Sequence, residues 1–248
     1  MRAFLARGAV IAVSSVLIVS TAATSYAAGT QPTKTRTAHV ASASDPDPLM
    51  RWKLALDLRS HPNLNPFPSY LGGDRVWSLR GSRTLQRDGD YPLLPSYSST
   101  FGAAGLKAWH GTTPNCVKLP AVGANTTEKP VPLCSGIVPA DAAFVVPAAT
   151  HAPVVAWTSP FDGSVTISHD AINEVGGSCG AGVTYFVDLG TTPLATVSLA
   201  SGHGTDLASI SRDLNKGQTL YFVVEPQSAK GLACDMTQLQ ITIDAVEI

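Results

Sequence analysis

Val154–Ser168 reads VVAWTSPFDGSVTIS. Two runs rich in β-branched residues flank Ser159-Pro160-Phe161-Asp162-Gly163. Pro160 presets φ and Asp162-Gly163 supplies turn residues, so the stretch predicts strands over 154–158 and 165–168 joined by a tight turn. In the first strand Val155 and Trp157 share one face, and Val154, Ala156 and Thr158 share the other. A strand apolar on both faces is central, and a ring as large as Trp157 belongs in a core between two sheets. The competing reading turns Trp157 to water as a platform for a sugar.

The same alternation continues downstream. GVTYFVD (182–188) sets Val183, Tyr185 and Val187 against Thr184, Phe186 and Asp188. PLATVSLA (193–200) follows, then 207–211, and Asn215-Lys216-Gly217 turns the chain into QTLYFVVEP (218–226). There Leu220, Phe222 and Val224 alternate with Thr219, Tyr221 and Val223. LQITIDAV (239–246) aligns Leu239, Ile241, Ile243 and Ala245. Turn signals separate the runs, and no helical pattern between them supplies parallel crossovers. The expectation is an all-β, antiparallel β-sandwich of jelly-roll or carbohydrate-binding-module type over 65–248, with disulfides and an N-terminal extension.

The chain opens MRAFLARGAVIAVSSVLIVSTAATSYAAG. Arg2 and Arg7 precede a short apolar run, and Ser25-Tyr26-Ala27 offers small residues where a signal peptidase reads. This predicts a signal peptide over 1–27 and a secreted, extracellular product with no later membrane span. Residues 28–64 read as a flexible linker with a short helix, in which Leu49, Trp52, Leu54 and Leu56 cover one face and Pro62 ends the turn. Charged residues are only 14% of the chain, with 21 Gly and 18 Pro, which suits an exported protein of strands and turns. Loss of Arg2 and Arg7 leaves three more acidic than basic residues, and no basic block argues for nucleic acid.

Cys116, Cys134, Cys179 and Cys234 form an even set, which in an exported chain means two disulfides in one of three pairings. The favoured reading is Cys116–Cys134, tying a Pro-rich loop, and Cys179–Cys234, joining segments beside neighbouring strands. A zinc site lacks its C-x2-C spacing.

Gly176-Gly177-Ser178-Cys179-Gly180 matches G-x-S-x-G, but a nucleophile elbow needs a helix after its serine and AGVTYFVD alternates like a strand. Asp88 and Asp90, in RDGDYP, are a carboxylate pair around a glycine, a pattern typical of a turn. A small hydrolase using Ser178 or Asp88/Asp90 is therefore the enzymatic alternative. His39, His61, His110, His151, His169 and His203 show no ligand spacing and read as surface or loop residues. No cofactor or metal centre is indicated, although a structural calcium held by scattered oxygens, among them Asp162, Asp170 or Asp235, is compatible with the chain. Asn125-Thr126-Thr127 is a glycosylation sequon and marks an exposed loop.

Trp77, Tyr91, Tyr97 and Trp109 lie in Pro- and Gly-punctuated sequence. Such rings either seal a loop-rich end of the sandwich or form a site where sugar C–H faces stack, with nearby polar groups binding hydroxyls. The order WxxPFDGxVxIS, GVxYFVD, KGQTLYFVVEP, CDxTxLxITI resembles a module of large secreted bacterial proteins, including the SpvB/TcdB-like, RHS-associated toxin group. Trp157, Pro160, Gly163 and Val165 carry its first motif. Gly217, Leu220, Tyr221, Phe222, Val223 and Val224 carry its second, with Gln218 where an acidic residue is usual. Asp235, Thr237 and Leu239 carry its third. The resemblance covers about 65–248 and implies a carbohydrate-binding-like sandwich without catalytic residues. The resulting expectation is a secreted, non-enzymatic protein binding polysaccharide or another cell-surface or cell-wall component through Trp77, Tyr91, Tyr97 and Trp109. A structural envelope or protein-interaction module is the third alternative.

Overall fold

The computed structural model describes residues 50–176, 180–229 and 234–246. All belong to one compact unit, Asp45–Ile248; a second unit, Met1–Ser44, lies outside the described residues, as does the expected signal peptide.

Strands are numbered in chain order. One sheet has nine, running β14 (Gly204–Thr205), β11 (Gly163–Glu174), β17 (Thr237–Val246), β9 (Ala143–Val146), β6 (Lys118–Asn125), β5 (Leu106–Pro114), β4 (Ser96–Ser98). In it β1 (Met50–Lys53) also pairs with β17, and β15 (Ile210–Leu214) with β11. The second sheet has six: β13 (Thr192–Leu199), β12 (Val183–Leu189), β16 (Thr219–Pro226), β10 (Pro153–Thr158), β3 (Gly72–Gly81), β2 (Phe67–Ser69). A small hairpin, β7 (Val131–Leu133) with β8 (Gly136–Val138), and one helix, α1 (Leu54–Ser60), complete the described elements. The pairings in both large sheets are antiparallel. The chain is an all-β antiparallel sandwich.

Trp157 answers the question its strand raised. It is 0% exposed, opposite Leu220 on one side and Trp77 on the other. Its ring meets the edge of Trp52 with centroids 5.1 Å apart. Every run with a two-residue period turns its apolar face into this same core: Val183, Tyr185, Val187, Leu220, Phe222, Val224, Leu239, Ile241, Ile243. The second face of β10 is covered too, since Val154 packs with Tyr91, Ala152 and Val223 on the outside of the six-stranded sheet. A third cluster, including Phe101, Leu119, Phe144 and Met236, lies apart from the central core.

Three expectations change. The sandwich begins before residue 65, because Met50–Lys53 pairs with Lys53↔Thr242 through Met50↔Ala245 of the last strand. The short helix is real but starts only at Leu54, after a strand, and buries Leu54, Ala55, Asp57 and Leu58. Trp52 is buried from β1, and Leu49 lies outside the described residues. The sequon is no exposed loop: Asn125 is 0% exposed, and its Nδ2 donates to the carbonyls of Lys129, Val138 and Pro139. The side chain pins the connection between β6 and β9 by bonding three of its carbonyls at once.

The Cys116–Cys134 disulfide is present and ties the β5–β6 connection to the β7–β8 hairpin. Cys234 is disulfide-bonded, while Cys179 lies outside the described residues.

Candidate functional site

The four aromatics expected to form one surface are distributed among three places. Trp77 is 0% exposed, stacks on Phe67 with centroids 6.4 Å apart, and donates its indole N–H to Asp57 Oδ2 at 2.8 Å. It is a core residue with no face left for a ligand. Tyr91 lies on the outside of the six-stranded sheet. Tyr97 and Trp109 are brought together at the end of the nine-stranded sheet.

That last pair is the candidate site. β4 is the terminal strand and pairs with β5 so that Tyr97 faces Trp109 directly across the ladder. Cross-strand partners project to the same side, and the rings meet with centroids 5.5 Å apart at 43°. Both are half-buried. Trp109 packs its inner edge against the main core and donates its indole N–H to the Pro62 carbonyl at 3.1 Å. Those contacts set the tilt of the indole while part of it stays in water. Burial raises the Tyr97 hydroxyl above the ordinary phenol range, so it remains neutral and able to donate and accept. Lys107, two residues along the same face of β5 and also half-buried, adds a donor. Two open rings with a hydroxyl and an ammonium beside them can stack on an apolar face while hydrogen-bonding hydroxyls at its edge.

Tyr91 has a different task. Residues 82–95 fold back over the six-stranded sheet, held where Gly81 donates to the Pro92 carbonyl, Leu94 to the Leu79 carbonyl, and Arg80 Nη1 to the Tyr91 carbonyl at 2.7 Å. The Tyr91 ring meets Tyr221 edge-on at 4.9 Å, with its hydroxyl buried. Burial, reinforced by Asp188, pushes that hydroxyl up to about 12. Beside it the Arg87 guanidinium lies 3.9 Å from the Phe186 ring centroid and donates to Asp188 Oδ1 at 2.6 Å. Burial raises the carboxyls of Asp188 and Glu225, and Arg87 opposes both shifts. Sequence reading set Phe186, Asp188 and Tyr221 on the second faces of their strands but could not see that Arg87, 101 residues from Asp188, would pack beside them.

Asp88 Oδ1 accepts the Asp90 backbone N–H at 3.0 Å around Gly89, whose φ is +80°, and Asp90 pairs with Arg83 at 3.3 Å. Both carboxylates are exposed in a turn. Ser178 lies outside the described residues, and the element that follows is a strand, β12, where an elbow requires a helix. His110 and His169 are buried, contrary to the surface reading. Asp162 Oδ1 accepts the Lys216 N–H and Asp170 Oδ2 the Thr242 hydroxyl, and among the described residues Asp162, Asp170 and Asp235 do not gather into one metal-binding group. Asp57, unremarked in the sequence, turns out to be a fully buried acceptor for three donors.

No family model matches the chain, and no curated protein matches it. Among solved structures it is similar to a family GH115 4-O-methyl-alpha-glucuronidase, BtGH115A, described as specific for decorated arabinogalactans, at 11% identity over 49% of this chain and 17% of that one, with a TM-score of 0.31. It is similar to the M60 catalytic domain with CBM51-1 and CBM51-2 domains of Clostridium perfringens ZmpB, at 8% identity over 68% of this chain and 20% of that one, TM-score 0.33. It is also similar to a family 35 carbohydrate binding module of Clostridium thermocellum, at 11% identity over 56% of this chain and 87% of that module, TM-score 0.25. The chain thus spans less than a quarter of the length of the first two.

Proposed function

We propose that the protein is a secreted, non-enzymatic β-sandwich that binds glycan, and that the Tyr97–Trp109 pair is its platform. The observation that carries this reading is the pair itself: two half-buried rings aligned across the terminal strand of a sheet, held in orientation by the core and by the Pro62 carbonyl. Leaving two large aromatics partly in water costs solubility unless a partner covers them, and a pyranose offers an apolar C–H face of matching size. The signal-peptide pattern of residues 1–27 supports export, where polysaccharide is the accessible partner. Membership of the SpvB/TcdB-like, RHS-associated group is part of the same proposal and rests on its strand and turn signatures.

The test is a glycan array followed by affinity measurement on the polysaccharides retained. Trp109→Ala and Tyr97→Ala are each expected to weaken binding about 10–30-fold, as for an aromatic anchor. Arg87→Ala, on the other sheet, should leave the affinity within about twofold, since it touches none of the platform. Binding that survives both ring substitutions would remove the platform; no retained glycan at all would remove the function.

A further inference from the structure

On the other face of the β4–β5 ribbon from the Tyr97–Trp109 pair lies an open cleft of about 260 Å³. Trp109 packs on the main core, whereas Phe101, which lines the cleft, belongs to the separate cluster that includes Leu119 and Phe144. Ser98 and His110 alternate with the two rings along their strands and so project to the cleft side. Ser96 stands opposite His110 and Ser98 opposite Ala108, which makes Ser98 and His110 a diagonal pair roughly 7–8 Å apart. The turn at Cys116, Val117 and Lys118 supplies the remaining wall. That wall is held in place by the Cys116–Cys134 disulfide and by the Asn115 N–H, which donates to the Val117 carbonyl at 3.0 Å. Gly102, at φ +71°, turns the chain beside Phe101.

His110 is 6% exposed, its ring stacks on Phe101 with centroids 5.6 Å apart, and its Nδ1 lies 2.7 Å from the Gly111 carbonyl. A carbonyl can only accept, so Nδ1 carries the proton and Nε2 of the uncharged ring is an acceptor. Among the described residues nothing donates to Nε2, and the ring lines the cleft. The other polar groups there are the Ser98 hydroxyl and the Lys118 ammonium. No ion pair among the described residues engages Lys118, and no described carboxylate lines the cleft. The set is therefore one positive charge, one hydroxyl and one acceptor around an apolar floor. A bare carboxylate would satisfy Lys118 and Ser98 but set a second acceptor against Nε2. A carboxylate with a hydroxyl close by satisfies all three: the carboxylate accepts from Lys118 and Ser98, and the hydroxyl donates to His110 Nε2.

We propose that this cleft is a second binding site, distinct from the aromatic platform, and that it takes a small hydroxy acid held between Lys118, Ser98 and His110. A free hydroxy acid and a uronate residue of a polysaccharide present the same two groups. The volume suits one such unit rather than a longer segment. The site uses neither Tyr97 nor Trp109, so it stands whether or not the platform binds glycan.

The experiment titrates the intact protein with sodium glucuronate, sodium lactate, sodium acetate and glucose, following the histidine ring nitrogens by NMR. Glucuronate or lactate is expected to bind with a Kd of about 1 mM, the range open to so small a ligand, and to shift the Nε2 signal of His110. Acetate, which lacks the hydroxyl, and glucose, which lacks the carboxylate, should each bind at least about tenfold more weakly. Glucuronate binding about tenfold tighter than lactate identifies a uronate residue as the source, and lactate binding as tightly identifies a free hydroxy acid. Lys118→Gln, at an exposed position, should weaken the acids about tenfold and remove their advantage over glucose. His110→Phe keeps a ring against Phe101 and should also weaken the acids about tenfold; if that variant does not fold, the Nε2 signal of the wild type decides the same point. Failure of both acids to bind at about ten times that Kd overturns the site. So does acetate or glucose binding as tightly as the acids, an Nε2 signal that does not respond, or acid binding unchanged in Lys118→Gln.

Discussion

Replacing Asp57 with alanine is expected to lower the unfolding free energy by about 3–5 kcal/mol, or Tm by roughly 6–20 °C. The carboxylate is 0% exposed and accepts Trp77 Nε1 at 2.8 Å, the Tyr70 N–H at 2.7 Å and the Lys53 N–H at 3.1 Å. It thereby ties α1 to the strand before it and to the β2–β3 hairpin. Alanine leaves three donors without an acceptor in a place water does not reach, and each orphan costs about 1–3 kcal/mol. Burial pushes the Asp57 carboxyl up to about 6, against the opposing pull of Tyr70, Trp77, Lys53 and His61, so its charge is retained at neutral pH at some cost. Because those donors account for the effect, Trp77→Phe should cost less in the Asp57→Ala background than in the wild type. Urea unfolding of the four proteins measures the coupling. A loss below about 1 kcal/mol for Asp57→Ala would mean that the three donors find other partners.

His169 should make the fold sensitive to acid. It pairs across from Ile241 and lies edge-on to Tyr185 at 5.5 Å and Phe222 at 6.3 Å, with neither ring nitrogen hydrogen-bonded. Burial lowers its pKa to about 4, with Asp170 opposing. The unfolded chain takes up the proton near the ordinary value of about 6.5. Between those two values the unfolded state therefore binds more protons, and stability falls as pH falls through 6.5 toward 4. The contribution is about 3 kcal/mol across that window. Asp57 and Asp235 act in the opposite sense. Their carboxyls are raised above 3.8, so they favour the fold on the acid side and lose that contribution as pH rises through about 6. The wild-type profile is a sum of these terms, and a difference isolates one of them. His169→Leu should be near neutral or stabilising at pH 7 and should become about 3 kcal/mol more stable relative to wild type by pH 4. A wild-type-minus-variant difference that stays flat from pH 7 to 4 would show that the imidazole reaches water.

The legibility of the molecule divides by distance along the chain. Trp157, Tyr185, Phe222 and Ile241 were assignable to a core because a strand repeats every two residues, and the repeat is written in consecutive positions. Tyr97 and Trp109 were found as candidates for the same local reason, aromatics among turn residues. Trp77 satisfied the identical criterion and yet is buried, because its indole N–H finds Asp57, 20 residues earlier, once the hairpin closes. Tyr91 was drawn to the outer face by Tyr221 and by the Arg80 contact to its own carbonyl. His169 and Asn125 look like surface residues in isolation, since polarity alone does not tell where a strand will be covered.

Alternation, turns and composition by themselves determined that this chain is an antiparallel β-sandwich and which faces of its last strands are apolar. Only the tertiary structure decided that Met50–Ser60 completes the sandwich, that Tyr97 meets Trp109 while Trp77 is sealed away, and that Asp57 gathers donors from Lys53, Tyr70 and Trp77. The reason is physical: side-chain direction along a strand follows from local geometry, whereas cross-strand register and the pairing of buried polar groups exist only after segments far apart in the chain have been brought together.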